Sequence, residues 1–458
     1  MVAIAALVLA AAVGVPEASG PEPTVRLITL DPGHFHAALI QRTMYPGVSD
    51  TVDVYAPLGS DLAAHLLRVA QFNERKDDPT RWRLEVHAGP DYLERMLRER
   101  PGNVVVLSGR NRGKIDRILD CLEAGLNVLA DKPWIIAAAD LPKLEKALAT
   151  AEAKGLVAYD VMTERYEIAT LLQKELIADR AILGEILPGT RGMPGVSMDS
   201  VHHLMKIVAG VPNLRPPWFF DTGQQGEALA DVGTHLADLA AWMLFPEQPI
   251  DYHEDIRLLS AKRWPTILTR DEFRRLTGER DYPSFLTPEV QNDQFAYFAN
   301  GRVSYTLRGI HVRLTTRWEF EAPAGTGDTH SASFSGSRAR IEIRQGGEER
   351  YRTELYVVPT RPEQRGDVRA ALEKRIASLS ARFPGLGIED RPTELRVTIP
   401  DALRGTHEAH FAEVTTRFLG YLKDPRSVPS WEKANMQAKY FVTTSAVELS
   451  RQPAAAEP

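Results

Sequence analysis

Among 458 residues there is one cysteine, Cys121. A lone thiol excludes a disulfide framework and leaves neither a cysteine-ligated zinc nor an iron–sulfur cluster a ligand set. In its amphipathic helical stretch it reads as a small core residue. Runs of like charge are also lacking. The 55 Lys and Arg stand against 61 Asp and Glu, a formal net charge of −6, and no basic stripe is present, so no nucleic-acid partner is expected. Long apolar runs are missing too. The run from Ala3 to Val13 is well short of the ~20 residues of a membrane-spanning helix, and no stable span is expected. With Pro16-Glu17-Ala18-Ser19-Gly20 behind it, this run has the apolar core and small-residue exit of a secretory signal, although no Lys or Arg precedes Arg26. The expectation is a signal segment over 1–22 and an exported, periplasmic protein, with a cytoplasmic one as the alternative.

What is present is a length that calls for two domains. From Val25 onward, strand-like runs (Val25 to Leu30, Asp53 to Tyr55, Arg83 to His87, Asn103 to Leu107, Asn127 to Ala130, Leu156 to Asp160) alternate with helical spacing such as Ile115, Ile118, Leu119 and Leu122 before Gly125. That alternation predicts a doubly wound parallel sheet over 23–160. Phe72 to Trp82, with its charged Asn73-Glu74-Arg75-Lys76-Asp77-Asp78 core, reads as a loop inserted before the third strand. Beyond about residue 165 the pattern changes. Helices are expected near Glu167 to Ile177 and Leu229 to Leu244, then strands at Val303 to Arg308, Leu314 to Glu321, Ala339 to Arg344 and Glu354 to Val358, then helices at Glu408 to Leu422 and Trp431 to Ser450. The second unit, 161–458, is thus α+β on an open, mostly antiparallel sheet. Such a sheet offers a face for a homo-oligomer.

The first strand-to-helix turn, Leu30-Asp31-Pro32-Gly33-His34-Phe35-His36-Ala37-Ala38, stands where a dinucleotide fold places G-x-G-x-x-G, and only the middle glycine, Gly33, is kept. Asp31 brings a negative charge to a pyrophosphate position and His36 a large ring to a close-packing position. Tyr55-Ala56-Pro57 lacks the carboxylate that binds ribose hydroxyls. Further along, Ser108-Gly109-Arg110-Asn111 ends the fourth strand, and Glu123-Ala124-Gly125-Leu126-Asn127-Val128-Leu129-Ala130-Asp131-Lys132-Pro133 follows. This segment resembles the glycine-to-Glu-Lys-Pro hallmark of the Gfo/Idh/MocA oxidoreductases, with Asp131 in place of the glutamate. Met162-Thr163-Glu164-Arg165-Tyr166 is similar to that family's next strand-to-helix junction, and Asp231-Val232-Gly233-Thr234-His235-Leu236-Ala237-Asp238 to its D-x-G-x-H-x-x-D helix. The matches run in order from about residue 25 to 245.

The resemblance implies a Rossmann-like domain, NAD or NADP as cofactor, a sugar, polyol or glycoside as substrate, and Lys132, Asp231 and His235 as catalytic residues. The residues support those roles on their own terms. Asp231 and His235 are four apart, so one helix puts carboxylate and imidazole on one face, where the carboxylate fixes the tautomer of a general base. Lys132 ends a parallel strand, on the edge where such sheets bind ligands, and its ammonium can stabilise a developing alkoxide. Gly33, His34, Phe35, Ser108, Arg110, Asn111, Asp131, Lys132 and Pro133 are the candidate cofactor contacts. Arg165, His202, His203, Trp218 and His330 are the candidate substrate contacts, Trp218 because aromatic faces pack on sugar C–H faces. His34 and His36 have a spacing that serves a metal, but no third ligand is assignable and no metal is expected. Two other functions fit the scaffold: a redox-neutral, NAD-assisted cleavage of a glycoside, and a cofactor-free carbohydrate-binding protein, for which Asp31, His36 and Ala56 speak.

Overall fold

The computed structural model describes residues 24–208, 211–212 and 214–453, so the expected signal segment lies outside the described residues. Six short strands of mostly β-branched and aliphatic residues open the chain: β1 (Leu27–Leu30), β2 (Thr51–Ala56), β3 (Arg83–Ala88), β4 (Val104–Leu107), β5 (Asn127–Asp131) and β6 (Ala158–Val161). They form one all-parallel sheet in the order β3-β2-β1-β4-β5-β6. β1 and β4 are buried along their whole length, as expected of strands covered on both faces. The crossovers are α1 (His36–Leu39), α2 (Ser60–Glu74), α3 (Tyr92–Glu99), α4 (Lys114–Glu123) and α5 (Leu141–Lys154). Cys121 lies fully buried on α4, where burial pushes its thiol up to about 12. The segment expected as an inserted loop is half helix. α2 runs through Phe72 to Glu74, and Trp82 is buried with its indole donating to the Gln41 carbonyl at 2.7 Å. The charges of Glu74 to Asp78 hide aromatic anchors at either end.

After α6 (Ile168–Ile177) the second unit is a ten-stranded sheet. Its main strands are β7 (Val196–His203), β8 (Ile256–Thr269), β9 (Gln294–Leu307), β10 (Ile310–Glu319), β11 (Thr329–Ser335), β12 (Ala339–Gln345), β13 (Glu354–Pro359), β14 (Gly387–Asp390) and β15 (Leu395–Thr398), in the order β8-β9-β10-β7-β11-β12-β13-β15-β14. Only β7 and β10 pair in parallel, Val196 opposite Val312. β7 and β8 were not expected from sequence. β7 holds two histidines, two serines and an aspartate among its eight residues, and β8 contains Pro265 and three cations, so neither shows clean alternation. The helix expected over Leu229 to Leu244 is broken at Val232, leaving Asp231 at the end of one short turn and α7 (Gly233–Leu244) starting afresh.

α8 (Arg365–Leu379) lies between β13 and β14; α9 (His407–Lys423) and α10 (Ser430–Arg451) close the chain. The last two return to the first sheet. Phe411, Val414, Phe418 and Tyr421 of α9 share a core with Val25, Leu27, Val104 and Val106, while Met436 and Tyr440 of α10 pack with Ile28, Leu107 and Val128. Burying them against the parallel sheet is favourable at roughly 1.5–3 kcal/mol for each large side chain. It ties the carboxyl end of the chain to the first domain.

A buried charge network sits where the two units meet. Arg165 grips both oxygens of Asp238 on α7 at 2.6 Å each and Glu432 on α10 at 2.7 Å. Lys439, wholly buried, reaches Asp160 at the end of β6 at 2.7 Å and Asp238 at 2.9 Å. Arg165 therefore stands behind the cleft as a structural clamp and not among the substrate contacts expected of it. Removing one partner of such a group leaves its counter-charges buried and unpaired, at a cost of about 3–5 kcal/mol. Lys439→Met is expected to lower unfolding stability by about that much in a denaturant titration.

Candidate active site

The carboxyl ends of β1, β4 and β5 meet the start of α7. Lys132, the residue after β5, points its Nζ to Asp231 Oδ1 at 2.5 Å and to the Asp231 carbonyl at 3.4 Å, and both side chains are buried. Burial alone would pull the Lys132 ammonium down, but the Asp231 and Asp131 carboxylates outweigh it and hold it above its ordinary value. Burial would likewise raise Asp231, and Lys132 overrides that to hold it ionised. Asp231 thus pairs with the lysine and not with the histidine four residues on. Asp238, the other carboxylate expected near His235, is spent on Arg165 and Lys439. His235 Nδ1 is buried with no hydrogen-bond partner among the described residues. Burial and then the Lys132 charge draw its pKa down to about 3, so the ring is neutral at neutral pH and free to accept a hydrogen bond or a proton.

Glu164, in the junction after β6, was passed over in favour of Arg165, yet it is Glu164 that faces the cleft. Its Oε1 lies 3.4 Å from His407 Nδ1 on α9. Burial would raise its carboxyl, but the neighbouring His407, His235 and His410 hold it below the usual range. Asp328, just ahead of β11, is a hub of hydrogen bonds and ion pairs. It accepts from the His203 ring and backbone at 2.9 and 3.0 Å, sits 3.4 Å from His202 Nδ1 and pairs with Lys206 at 2.6 Å. Ser200 Oγ and His202 Nε2 are 2.9 Å apart. His330 of β11 lies across from Ser200 in the ladder, on the same sheet face. Burial holds the His202 and His330 rings below their ordinary pKa, and the Glu164 charge opposes that in both.

The first strand-to-helix turn is rebuilt. Asp31 adopts a left-handed conformation (φ +48°), with Arg110 at 3.8 Å and Arg117 at 3.5 Å neutralising its carboxylate. The Gly33 N–H bonds the Asp31 carbonyl at 2.8 Å and the His34 N–H bonds the Ser108 carbonyl at 3.1 Å, so two backbone donors of a phosphate cradle are used internally. Gly109 is required for a different reason: a Cβ there would meet the Asp31 carbonyl oxygen at 2.2 Å. His36 turns away from the helix-packing position to Asp131, at 2.9 Å, and lies edge-on to Phe411. Asn111 donates to the Gln225 carbonyl at 2.6 Å, anchoring the β4 turn to the second unit.

A cleft of about 260 Å³ runs over this turn, lined by Gly33, His34, Phe35, Asp61, Arg68, Arg215 and Phe219, and it adjoins a second of about 650 Å³ through Ser60, Asp61, Pro216 and Pro217. A carboxylate stands at this turn although Tyr55-Ala56-Pro57 offers none. Asp61, in the first turn of α2, lies beside Gly33, where its Oδ2 accepts from Trp218 Nε1 at 2.9 Å and pairs with Arg110 at 3.1 Å. Arg68 Nη1 is buried without a partner among the described residues, an unspent cation over the turn. The residue is half-buried and its guanidinium also lies 5.8 Å from the Phe35 ring, so an anion would satisfy the one buried nitrogen. Carboxylate, cation and glycine together suit the ribose and pyrophosphate of a dinucleotide, with Arg68 taking over from the spent backbone donors. Trp218, expected at the substrate, instead covers the turn, with Arg110 stacked 4.9 Å from its ring.

A parallel nucleotide-fold sheet joined to an open antiparallel sheet, with a lysine–carboxylate pair at the junction, defines the class of two-domain oxidoreductases. The family "Putative oxidoreductase C terminal domain" matches residues 172–451, and the chain belongs to the Gfo/Idh/MocA oxidoreductases that carry this domain. It is similar to a "putative oxidoreductase" from Parabacteroides merdae ATCC 43184, with 44% identity over 94% of this chain and 98% of that one and a TM-score of 0.91. Two more distant structures share the fold. GenD2 from gentamicin A biosynthesis, in complex with NAD, is 16% identical over 95% of this chain and 97% of its own, with a TM-score of 0.56. KijD10, a 3-ketoreductase from Actinomadura kijaniata in complex with NADP and TDP-benzene, is 15% identical over 91% and 95%, with a TM-score of 0.54. No curated protein matches the chain. Among the described residues, no helix is long and apolar enough to cross a membrane.

One group near the site predicts a pH response of the fold. Glu167 caps α6, accepting from the Ala169 N–H at 2.7 Å, and burial, with Glu164 adding to it, pushes its carboxyl up to about 7. The unfolded value is ~4.3, so its favourable contribution is complete below that and is lost as pH rises through about 7. Glu167→Gln keeps the acceptor without the charge. It is expected to raise Tm at pH 8 and to change it little at pH 5, read by thermal scans at both pH values.

Proposed function

We propose that this protein is a nicotinamide-dependent oxidoreductase acting on a hydroxyl-bearing carbon of a sugar, polyol or glycoside, and that it works outside the cytoplasm. The observation that carries the reading is the Lys132 ammonium, held 2.5 Å from Asp231 at the carboxyl end of β5 beside the unpartnered ring of His235. The fold likeness to NAD- and NADP-bound structures, the unpaired Arg68 and the Asp61 carboxylate over the glycine turn support the cofactor. When bound, the nicotinamide supplies or accepts the hydride.

The chain's own residues handle the proton and the charge. Lys132 donates a hydrogen bond to the reacting oxygen, stabilising alkoxide in oxidation and polarising a carbonyl in reduction. Asp231 keeps that ammonium charged and aimed. His235, neutral, takes the hydroxyl proton through a free ring nitrogen and returns it in the reverse direction. His202 and His330, with Ser200, line the sheet side of the cleft where sugar hydroxyls need donors and acceptors.

A second reading within the same chemistry has one observation in its favour. Glu164 with His407 supplies another acid–base pair across the cleft, as required if a ketone formed transiently is followed by elimination of a glycosidic oxygen. Glycoside cleavage with no net reduced cofactor would select that route, and steady accumulation of reduced cofactor would select simple oxidation.

The test begins with ligand released on denaturing the purified protein, then direct titration with NAD(H) and NADP(H), then a panel of glycosides and free sugars. Failure to retain or bind either dinucleotide would reject the redox reading in favour of a cofactor-free carbohydrate-binding protein. Arg68→Met is expected to weaken dinucleotide binding by about tenfold or more, a charge-assisted contact being worth ~1.5–3 kcal/mol. His235→Ala is expected to cut turnover by about 10²–10⁴-fold, the usual range for a lost general base, while Tm holds. Because Lys132 and Asp231 are buried together, the double variant Lys132→Met/Asp231→Asn, which removes both charges, is expected to fold and to lose activity. Near-normal kcat in that variant would show that the pair is structural.

A further inference from the structure

We propose that His34, His36 and Asp131 form a binding site for one divalent first-row transition-metal ion, zinc or an ion of similar preference. The inference is independent of the redox reading and stands on metal binding alone.

The His34-Phe35-His36 segment puts two imidazoles on one turn, and β5 brings Asp131 to them from 95 residues away. His34 Nδ1 and His36 Nδ1 lie 3.3 and 2.9 Å from the same carboxylate oxygen, Asp131 Oδ2, and ligand atoms from all three residues fall within 4.8 Å of one another. With metal–ligand bonds of ~2.0–2.2 Å, neighbouring donors in an octahedral or tetrahedral shell are about 3.0–3.5 Å apart. The two carboxylate–imidazole spacings match such a shell, the metal replacing the proton shared by His36 and Asp131.

Donor capacity is also left over. Asp131 Oδ1 and His34 Nδ1 are buried and make no hydrogen bond among the described residues. Buried polar atoms are rarely left so, and two in one cluster call for a ligand. Ser108 Oγ donates to the same oxygen, Asp131 Oδ2, at 3.1 Å and holds the carboxylate in place, as outer groups do around metal ligands. The nearby Lys132 cation is matched by Asp231. A comparable group, Asp53, Glu85 and His87, already has a cation on its carboxylates, the Arg26 guanidinium 2.8 Å from Asp53 and 3.5 Å from Glu85, whereas the cation nearest Asp131, Lys114, donates to its backbone carbonyl at 2.9 Å and leaves the carboxylate to the histidines and Ser108. Two histidines and one carboxylate leave coordination positions open for water or a substrate oxygen.

The experiment uses the full chain, stripped with chelator and dialysed, then titrated with Zn(II) by calorimetry and with Co(II) as a spectroscopic probe. One equivalent per chain and visible Co(II) d–d absorption are expected. His36→Ala and Asp131→Asn should each weaken Zn(II) binding at least tenfold, and His87→Ala should leave it unchanged. No stoichiometric binding by the wild type, or wild-type affinity in His36→Ala and Asp131→Asn, would overturn the proposal. Should those variants lose their native circular dichroism, diethyl pyrocarbonate labelling of wild-type protein decides. Zn(II) must protect His34 and His36 while leaving His253 labelled, and equal labelling with and without metal rejects the site.

Discussion

The structure turns on one buried cluster of charge, Arg165 and Lys439 against Asp238, Asp160 and Glu432. Its members come from the end of β6, the junction after it, α7 and α10, so it holds the last strand of the first sheet, the helix that carries His235 and the carboxyl-terminal helix in one register. Ion pairs of this kind add little net stability, since the desolvation of each group opposes the attraction. What they supply is specificity of position: a shift of α7 by a fraction of a turn leaves a carboxylate buried without a cation. Apolar packing of α9 and α10 against the parallel sheet provides the favourable area, and the charges select the geometry in which it is buried.

The site inherits that geometry. With α7 fixed, Asp231 just ahead of it meets Lys132, and His235 Nδ1 is left buried without a partner among the described residues. The lysine stays charged because two carboxylates flank it, and the histidine stays neutral because burial and that lysine both oppose its protonation. Cation and neutral base are thereby kept apart in role, the one following β5 and the other on α7. The rebuilt glycine turn follows the same economy of charge. Asp31 is tolerated because Arg110 and Arg117 surround it, and His36 because Asp131 and Phe411 receive it.

Six parallel strands and their crossovers were legible because each strand is a short apolar run closed by turn chemistry, a local signal. Lys132, Asp231 and His235 were legible because their motifs follow one another in order. The second sheet was half legible: β9, β10, β12 and β13 alternate cleanly, whereas β7 and β8 carry polar and charged residues inside the sheet and gave no period to read. Asp328 and Glu164 stood in segments already singled out, but nothing local distinguished them from their neighbours His330 and Arg165.

Sequence by itself determined which elements form, which edge of the first sheet carries the chemistry, and the family to which the chain belongs, since these depend on side-chain period and on contiguous motifs. Tertiary structure alone decided who pairs with whom. Asp231 with Lys132 instead of His235, Asp238 with Arg165 and Lys439, and Asp131 with two histidines are contacts across 99, 73, 201 and 95 residues. Which charge neutralises which is settled only when packing has chosen the faces that meet, because the cost of leaving a buried charge alone is felt only once water has gone.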